Sequence, residues 1–180
     1  KTSGGFWILD FGFAALFENR ENVVTVYVPE KAALDTVKID TSNGKVTADA
    51  WFTTQNLNVQ SDNGKIELMQ MICEKNAQVH CSNGKITVNA EFKGESLFSS
   101  NNGNVELAGA WEGTVTCKTN NGKIQVTAPK PESAYRVEAH TDNGSVYVND
   151  NKVLNPYTAQ NTQADTNLYA VSNNGSVRLE

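Results

Sequence analysis

Two histidines, His80 and His140, three cysteines, Cys73, Cys81 and Cys117, and a thin scatter of carboxylates that includes Asp62, Glu67, Glu106 and Asp142 are the side chains of this 180-residue chain from which chemistry could be built. General acid–base catalysis needs two such groups within hydrogen-bond reach, and a nucleophile needs a base beside it. Zinc needs three or four Cys or His ligands at short spacing. The cysteines are odd in number and form neither a CxxC pair nor a disulfide framework, so free, buried thiols are expected. Asp62 and Asp142 recur too sparsely for a calcium-binding solenoid. The sequence therefore offers no catalytic residue, no cofactor-binding residue and no metal ligand, and a noncatalytic protein is expected.

Bulk properties narrow the partners. A formal charge of −5 and only three arginines, Arg20, Arg136 and Arg178, argue against nucleic acid, whose phosphates call for clustered basic side chains. The longest apolar run, GFWILDFGFAALF at 5–17, contains Asp10 and falls short of the roughly 18 to 20 residues of a membrane helix. It reads as buried structure, and membrane contact is expected only through an anchor outside these residues.

The strongest signal is a repeat. Asn-Gly recurs at Asn43-Gly44, Asn63-Gly64, Asn83-Gly84, Asn102-Gly103, Asn121-Gly122, Asn143-Gly144 and Asn174-Gly175, with glycine spacings of 20, 20, 19, 19, 22 and 31. A pitch near 20 marks an architecture in which each copy is one supersecondary unit. Two and four residues after each glycine the side chain is apolar, as in Ile66 and Leu68 or Ile86 and Val88. Five before it stand Ile39, Val59, Val79, Phe98, Cys117, Ala139 and Ala170, with polar residues between these positions in most copies. Alternation of period two on both sides of a turn gives two strands per unit with one buried face. Asn and Gly both tolerate the positive φ of tight turns. Three before the glycine, Thr41, Ser61, Cys81, Ser100, Thr119, Thr141 and Ser172 point inward, where a hydroxyl can satisfy backbone groups at the corner.

Two architectures accept this pattern: a meander or sandwich of Asn-Gly hairpins, and a β-solenoid in which each Asn-Gly is a corner of one coil. Stacked Lys45, Lys65 and Lys85 would favour hairpins, but screened charges about 4.8 Å apart repel by only about 0.9 kcal/mol in water. Phe52, Ile72, Phe92 and Trp111, eight residues after their glycines, favour a solenoid, because a wide second corner can bury them and a hairpin tip cannot. Energetics agree. Ordering a 20-residue unit costs about 20 to 40 kcal/mol of backbone entropy, more than its few apolar side chains return alone at about 1.5 to 3 kcal/mol each. The expected fold is thus an all-β, single-domain solenoid with coils of about 20 residues, right-handed by the default for parallel crossovers.

In such a stack Glu67 and Glu106 lie two coils apart with Thr87 between them, His80 and His140 lie three coils apart, and Cys81 and Cys117 sit too far apart to bridge. Residues 1–35 are expected to form an N-terminal cap, with VVTVYV (23–28) a degenerate first coil, and residues 36–180 the solenoid. The coil that ends in GSVRLE should be uncapped, which calls either for edge pairing in a dimer or for shielding by the insertion at 150–167. That insertion, with Asn155, Pro156 and Tyr157, reads as a candidate recognition loop, since long loops on rigid scaffolds often carry binding. APKPESAYR at 128–136 should only widen one corner.

The copies TSNGKVTA, SDNGKIEL, CSNGKITV and TNNGKIQV, preceded by ENVVTVYVPEKAALDTVKID, resemble the bacterial adhesin-type β-strand-repeat family, a widespread domain of unknown function, over residues 21–180. The resemblance implies a β-solenoid scaffold outside the cytoplasm, at the cell envelope or surface, whose ligand would be a protein or a glycan. The 31-residue interval before Gly175 departs from the family's regular cadence. An assembly element that polymerises through sheet edges is the alternative from another class, and a carbohydrate-active β-helix enzyme lacks the residues it would need.

Overall fold

The computed structural model describes residues 7–11, 25–29 and 31–180. They form sixteen strands and one 3-10 turn at Glu132–Ala134. The strands that carry the Asn-Gly repeat pair in parallel, copy on copy, so the architecture is the β-solenoid and not the hairpin meander. Each coil has a leading strand that ends at the Asn of the corner and a trailing strand that begins two residues after the Gly. Leading strands Ala32–Asn43, Phe52–Asn63, Ser96–Asn102 and Thr114–Asn121 stack into one sheet with the second half of Ile66–Asn83. Trailing strands Val46–Ala48, Ile86–Phe92, Val105–Trp111 and Ile124–Thr127 stack into the other with the first half of Ile66–Asn83.

The corners explain why the dipeptide recurs. None of the seven Asn residues has a positive φ, and only Gly44, Gly64 and Gly175 among the seven glycines do, at +113°, +137° and +152°. Positive φ is therefore not the common requirement; close approach is. A Cβ on Gly84 would lie 1.6 Å from the carbonyl oxygen of Gly64, and one on Gly103 would lie 1.9 Å from that of Gly84. Every one of these Asn side chains except Asn43, which only accepts, donates to its counterpart one coil away, in six links of 2.8–3.1 Å that join all seven. The backbone ladder uses the carbonyls of Asn and of the residue after Gly but passes over the Gly carbonyl itself. In five copies the inward residue three before the glycine fills that gap, whereas Thr41 donates to Asn43 O and the Ser61 hydroxyl has no partner among the described residues. Ser100 donates to Gly84 O (3.0 Å), Thr119 to Gly103 O (2.8 Å), Ser172 to Gly122 O (3.0 Å) and Thr141 to Gly175 O (2.7 Å). Cys81 takes the same place against Gly64 O at 3.2 Å. Thr119→Val keeps the shape and leaves a buried acceptor without a donor, so urea titration should show a loss of about 1 to 3 kcal/mol.

The core runs between the sheets and is lined by the expected columns, including Ile66, Leu68, Val79, Ile86, Phe98, Val105 and Ile124. Phe52, Phe92 and Trp111 are buried at the wide second corner, and Phe92 meets Phe98 edge-on at 5.1 Å. Ile72 is the exception. It is half-exposed, and Met71 is buried in its stead, in register with Phe52. A β-bulge at Gln70 (φ +57°) inserts one residue between Met69 and Ile72 and reverses the parity of the residues after it.

Coil order departs from chain order. Thr166–Asn174 pairs in parallel with both Thr114–Asn121 and Tyr135–Asn143, and Val177–Leu179 lies between Ile124–Thr127 and Val146–Val148. The coil ending in GSVRLE is consequently interior, sandwiched by neighbours, and the expectation that it is uncapped is overturned. The outer coil is the Gly144 coil, and the insertion covers its edge. Tyr157–Ala159 pairs antiparallel with Val137–Ala139, and Asn151–Lys152 with Tyr147 and Val148. Asn149 and Asp150, at φ +48° and +61°, make the tight hairpin that Asn-Gly does not make in this chain.

At the opposite end of the stack, Trp7–Phe11 adds a parallel rung beside Val37–Thr41. Residues 25–29 run without strand pairing, residues 32–35 of the expected cap already belong to the leading strand Ala32–Asn43, and residues 1–6, 12–24 and 30 lie outside the described residues.

Candidate functional site

The chemistry-bearing residues stay dispersed, with two local pairings. Leading-strand register sets His80 beside Ser99 and Gln60, and Nδ1 of His80 lies 2.9 Å from the Ser99 hydroxyl. Both stand four residues before their glycines, so the repeat alignment already sets them side by side, but a lone histidine beside a serine carries no motif that singles the pair out. His140 contacts Asp142 at 2.8 Å on its own strand. Because the Gly175 coil is inserted, the column runs His80, Ser99, Lys118, Val171, His140, and the two histidines stand four coils apart rather than three. Among the described residues no group of three or more His, Cys, Asp or Glu side chains could hold a metal ion. Cys73, Cys81 and Cys117 are free and buried, and burial pushes the Cys117 thiol up to about 12. A thiol held protonated in this way is a poor nucleophile.

On the outer face of the trailing sheet charged groups pair with one another, while the Thr87 hydroxyl between them has no hydrogen-bond partner among the described residues. Glu67, Thr87 and Glu106 follow one another in register, as the repeat requires. Lys45 and Lys65 both pair with Glu67, and Lys85 pairs with Glu106. The lysine column is thus neutralised by carboxylates from the neighbouring positions. Arg178 pairs with Asp150 at 2.6 Å and lies over the Tyr147 ring at 4.8 Å.

Hydrogen bonds from Lys45 and then Lys65 hold the Glu67 carboxyl down from the ordinary 4.5 to about 2. Since the folded-state pKa lies below that of the unfolded chain, this contribution is whole above about 4.5 and is lost as the pH falls toward 2. Urea midpoints measured across that window should fall with pH, and Glu67→Gln should flatten that part of the slope.

The outer face of the leading sheet is built differently. One column there reads Lys38, Asn58, Gln78, Leu97, Thr116, Tyr169 and Glu138. A flanking column carries Thr36, Asn56 and Asn76 in register. A shallow groove crosses the five coils from Thr36 to Lys118, lined by Asn56, Asn58, Asn76, Gln78, Glu95 and Thr116. Asn56 and Asn76 share a 3.4 Å hydrogen bond. Asn58, Gln78 and Thr116 make no side-chain hydrogen bond among the described residues, so their amides and hydroxyl face outward with donors and acceptors free. Tyr169 is 38% exposed in the same column. The strands fix these groups rigidly, one strand spacing apart.

The expected recognition loop also covers the edge of the outer coil. The Asn155 side chain accepts from Thr141 N–H (3.1 Å) and donates to Thr141 C=O (2.6 Å), imitating a further strand at the open edge. The Asn155–Pro156 bond is cis, and Tyr157 begins the antiparallel strand beside Ala139. Exposed groups of this insertion include Leu154, which is 85% exposed. The fourteen Asn and Gly residues of the repeat stand at the corners, where they hold the stack together.

No curated protein and no solved structure matches this chain. The Toastrack family model DUF4097, a domain of unknown function, matches residues 1–180, the whole of the sequence. Its β-solenoid agrees with the parallel coils of the structure, and the chain belongs to the Toastrack family.

Proposed function

We propose that this protein is a noncatalytic scaffold, outside the cytoplasm at the cell envelope or surface, that binds a protein or glycan through the outer face of its leading sheet. The observation that carries the reading is the contrast between the faces. On the trailing face Lys45, Lys65, Lys85 and Arg178 are paired with carboxylates, whereas the amides of Asn58 and Gln78 and the Thr116 hydroxyl lie along a rigid groove without protein partners. Free amides and hydroxyls at fixed intervals suit a ligand that itself offers repeated donors and acceptors. The placement outside the cytoplasm rests on the family resemblance of the repeat.

The test is a screen of the intact chain on glycan and protein arrays. Adherent ligands are expected, and the double variant Asn58→Ala/Gln78→Ala should weaken them about tenfold or more while keeping the fold, since two polar contacts are worth about 0.5 to 1.5 kcal/mol each. A chain that binds nothing on the arrays and forms filaments in light scattering would sink the reading in favour of an assembly element.

A further inference from the structure

Thr114–Asn121 and Tyr135–Asn143 follow each other among the leading strands of the chain, yet they do not pair. Thr166–Asn174, made later, occupies the space between them in register with both. The trailing strands repeat the arrangement, with Val177–Leu179 between Ile124–Thr127 and Val146–Val148. The segment pairs with the backbone edges of both coils and covers Val137, Ala139 and Val146, which stand in register with its Leu168, Ala170 and Val177. The space is a slot one coil deep.

The slot recognises its occupant closely. Asn174 donates to Asn121 (2.9 Å) and accepts from Asn143 (2.9 Å), while Ser172 donates to Gly122 O (3.0 Å) and Thr141 donates to Gly175 O (2.7 Å). At residue 175 only glycine fits, because a Cβ would stand 1.8 Å from Gly122 O. Each of these contacts joins the segment to residues outside it, so the same segment from another molecule would make them unchanged. Residues 160–165 connect the capping strand Tyr157–Ala159 to the segment, and once Arg136 releases Asn161 O and Thr162 O these six residues can extend to about 20–22 Å, enough to cross to an adjoining molecule.

We propose that this slot is a self-recognition site, in which residues 166–180 of a second copy of the chain can insert in trans to give a dimer held by reciprocal exchange of one coil. Exchange differs from polymerisation through sheet edges, because it is complete at two molecules and adds no strand to the outside of either stack. The tether supplies the segment to its own slot at an effective concentration on the order of millimolar, so exchange is minor at micromolar protein and rises as the concentration approaches that value.

Two preparations of the full chain with different tags, unfolded together and refolded from about 10 μM to about 1 mM, test this. Mixed-tag dimers are expected to increase with refolding concentration, to persist on later dilution, and to be suppressed by a large excess of a synthetic peptide of residues 166–180. The same peptide carrying Gly175→Ala should leave them unaffected. Absence of mixed pairs at every concentration overturns the proposal, as do mixed pairs that survive the unmodified peptide, which would be joined at their edges instead.

Discussion

Gly84→Ala is expected to lower stability by about 4 kcal/mol, close to the upper end of what single substitutions do. The added methyl would stand 1.6 Å from Gly64 O and 3.0 Å from Cys81 Sγ. The first of these is backbone, held by the ladder bonds Gly64 N to Asn83 O and Ile66 N to Lys85 O, and cannot swing aside as a side chain would. Relief requires the two coils to separate locally, which breaks the adjoining Asn83–Asn63 link and the contact of Cys81 with Gly64 O. Gly44→Ala provides the contrast. At Gly44 nothing lies within 4 Å, and the residue has φ +113°, so only conformational strain opposes the methyl. About 1 to 2 kcal/mol is expected there. Urea titrations of both variants would separate the two roles of glycine in this corner. If both lost the same small amount, close stacking would not be what fixes glycine at residue 84.

That contrast also shows where sequence reasoning about the corners was right for an incomplete reason. The Asn-Gly repeat marks the corners and the coil pitch correctly, since parity on both sides of it predicts which residues fill the core, from Ile66 to Val126. The hydroxyl column was legible for the same reason, since small inward donors recur where a carbonyl would otherwise be orphaned. Tolerance of positive φ suggested itself from the dipeptide alone, but it applies to three glycines and to none of the asparagines. Close approach between coils is a property of the stack, and no single copy displays it.

Parity fails at Ile72 because a bulge changes register without changing the pitch: the copy from Gly64 to Gly84 remains 20 residues long. The order of the coils was beyond the sequence for a related reason. The Gly144 and Gly175 copies have the same apolar columns, and either would stack on the Gly122 coil with its Asn in the ladder. What separates them is the covering of the outermost edge. The Gly144 coil is followed by a segment that folds back over it, with Asn149 and Asp150 turning the chain and Asn155 meeting Thr141. The candidate binding face was half legible: its columns could be read as polar, while the pairing that silences the other face depends on side chains from different coils.

Trp111→Ala should cost about 3 to 5 kcal/mol, the range for removing a buried aromatic side chain. Trailing strands of the middle coils run on to the wide corner, as Ile86–Phe92 and Val105–Trp111 do, but those of the upper three stop at Thr127, Leu179 and Val148. Beyond these points the core has no strand to close it. Trp111, only 2% exposed, lies there against Tyr135, with ring centroids 6.1 Å apart, and so reaches past the inserted coil to the outermost one. Thr166 of the inserted coil donates to Trp111 O at 3.4 Å, which ties the same corner from the backbone side. Removing the indole therefore empties the place where three coils meet, and the surrounding strands are too short to collapse into it. Hydrogen exchange should show the loss unevenly, with amides of Tyr135–Asn143 and Thr166–Asn174 losing protection while those of Phe52–Asn63 keep theirs. A uniform loss over all coils, or a destabilisation below about 1 kcal/mol, would mean that the Trp111–Tyr135 contact does not fasten the upper coils to the rest of the stack.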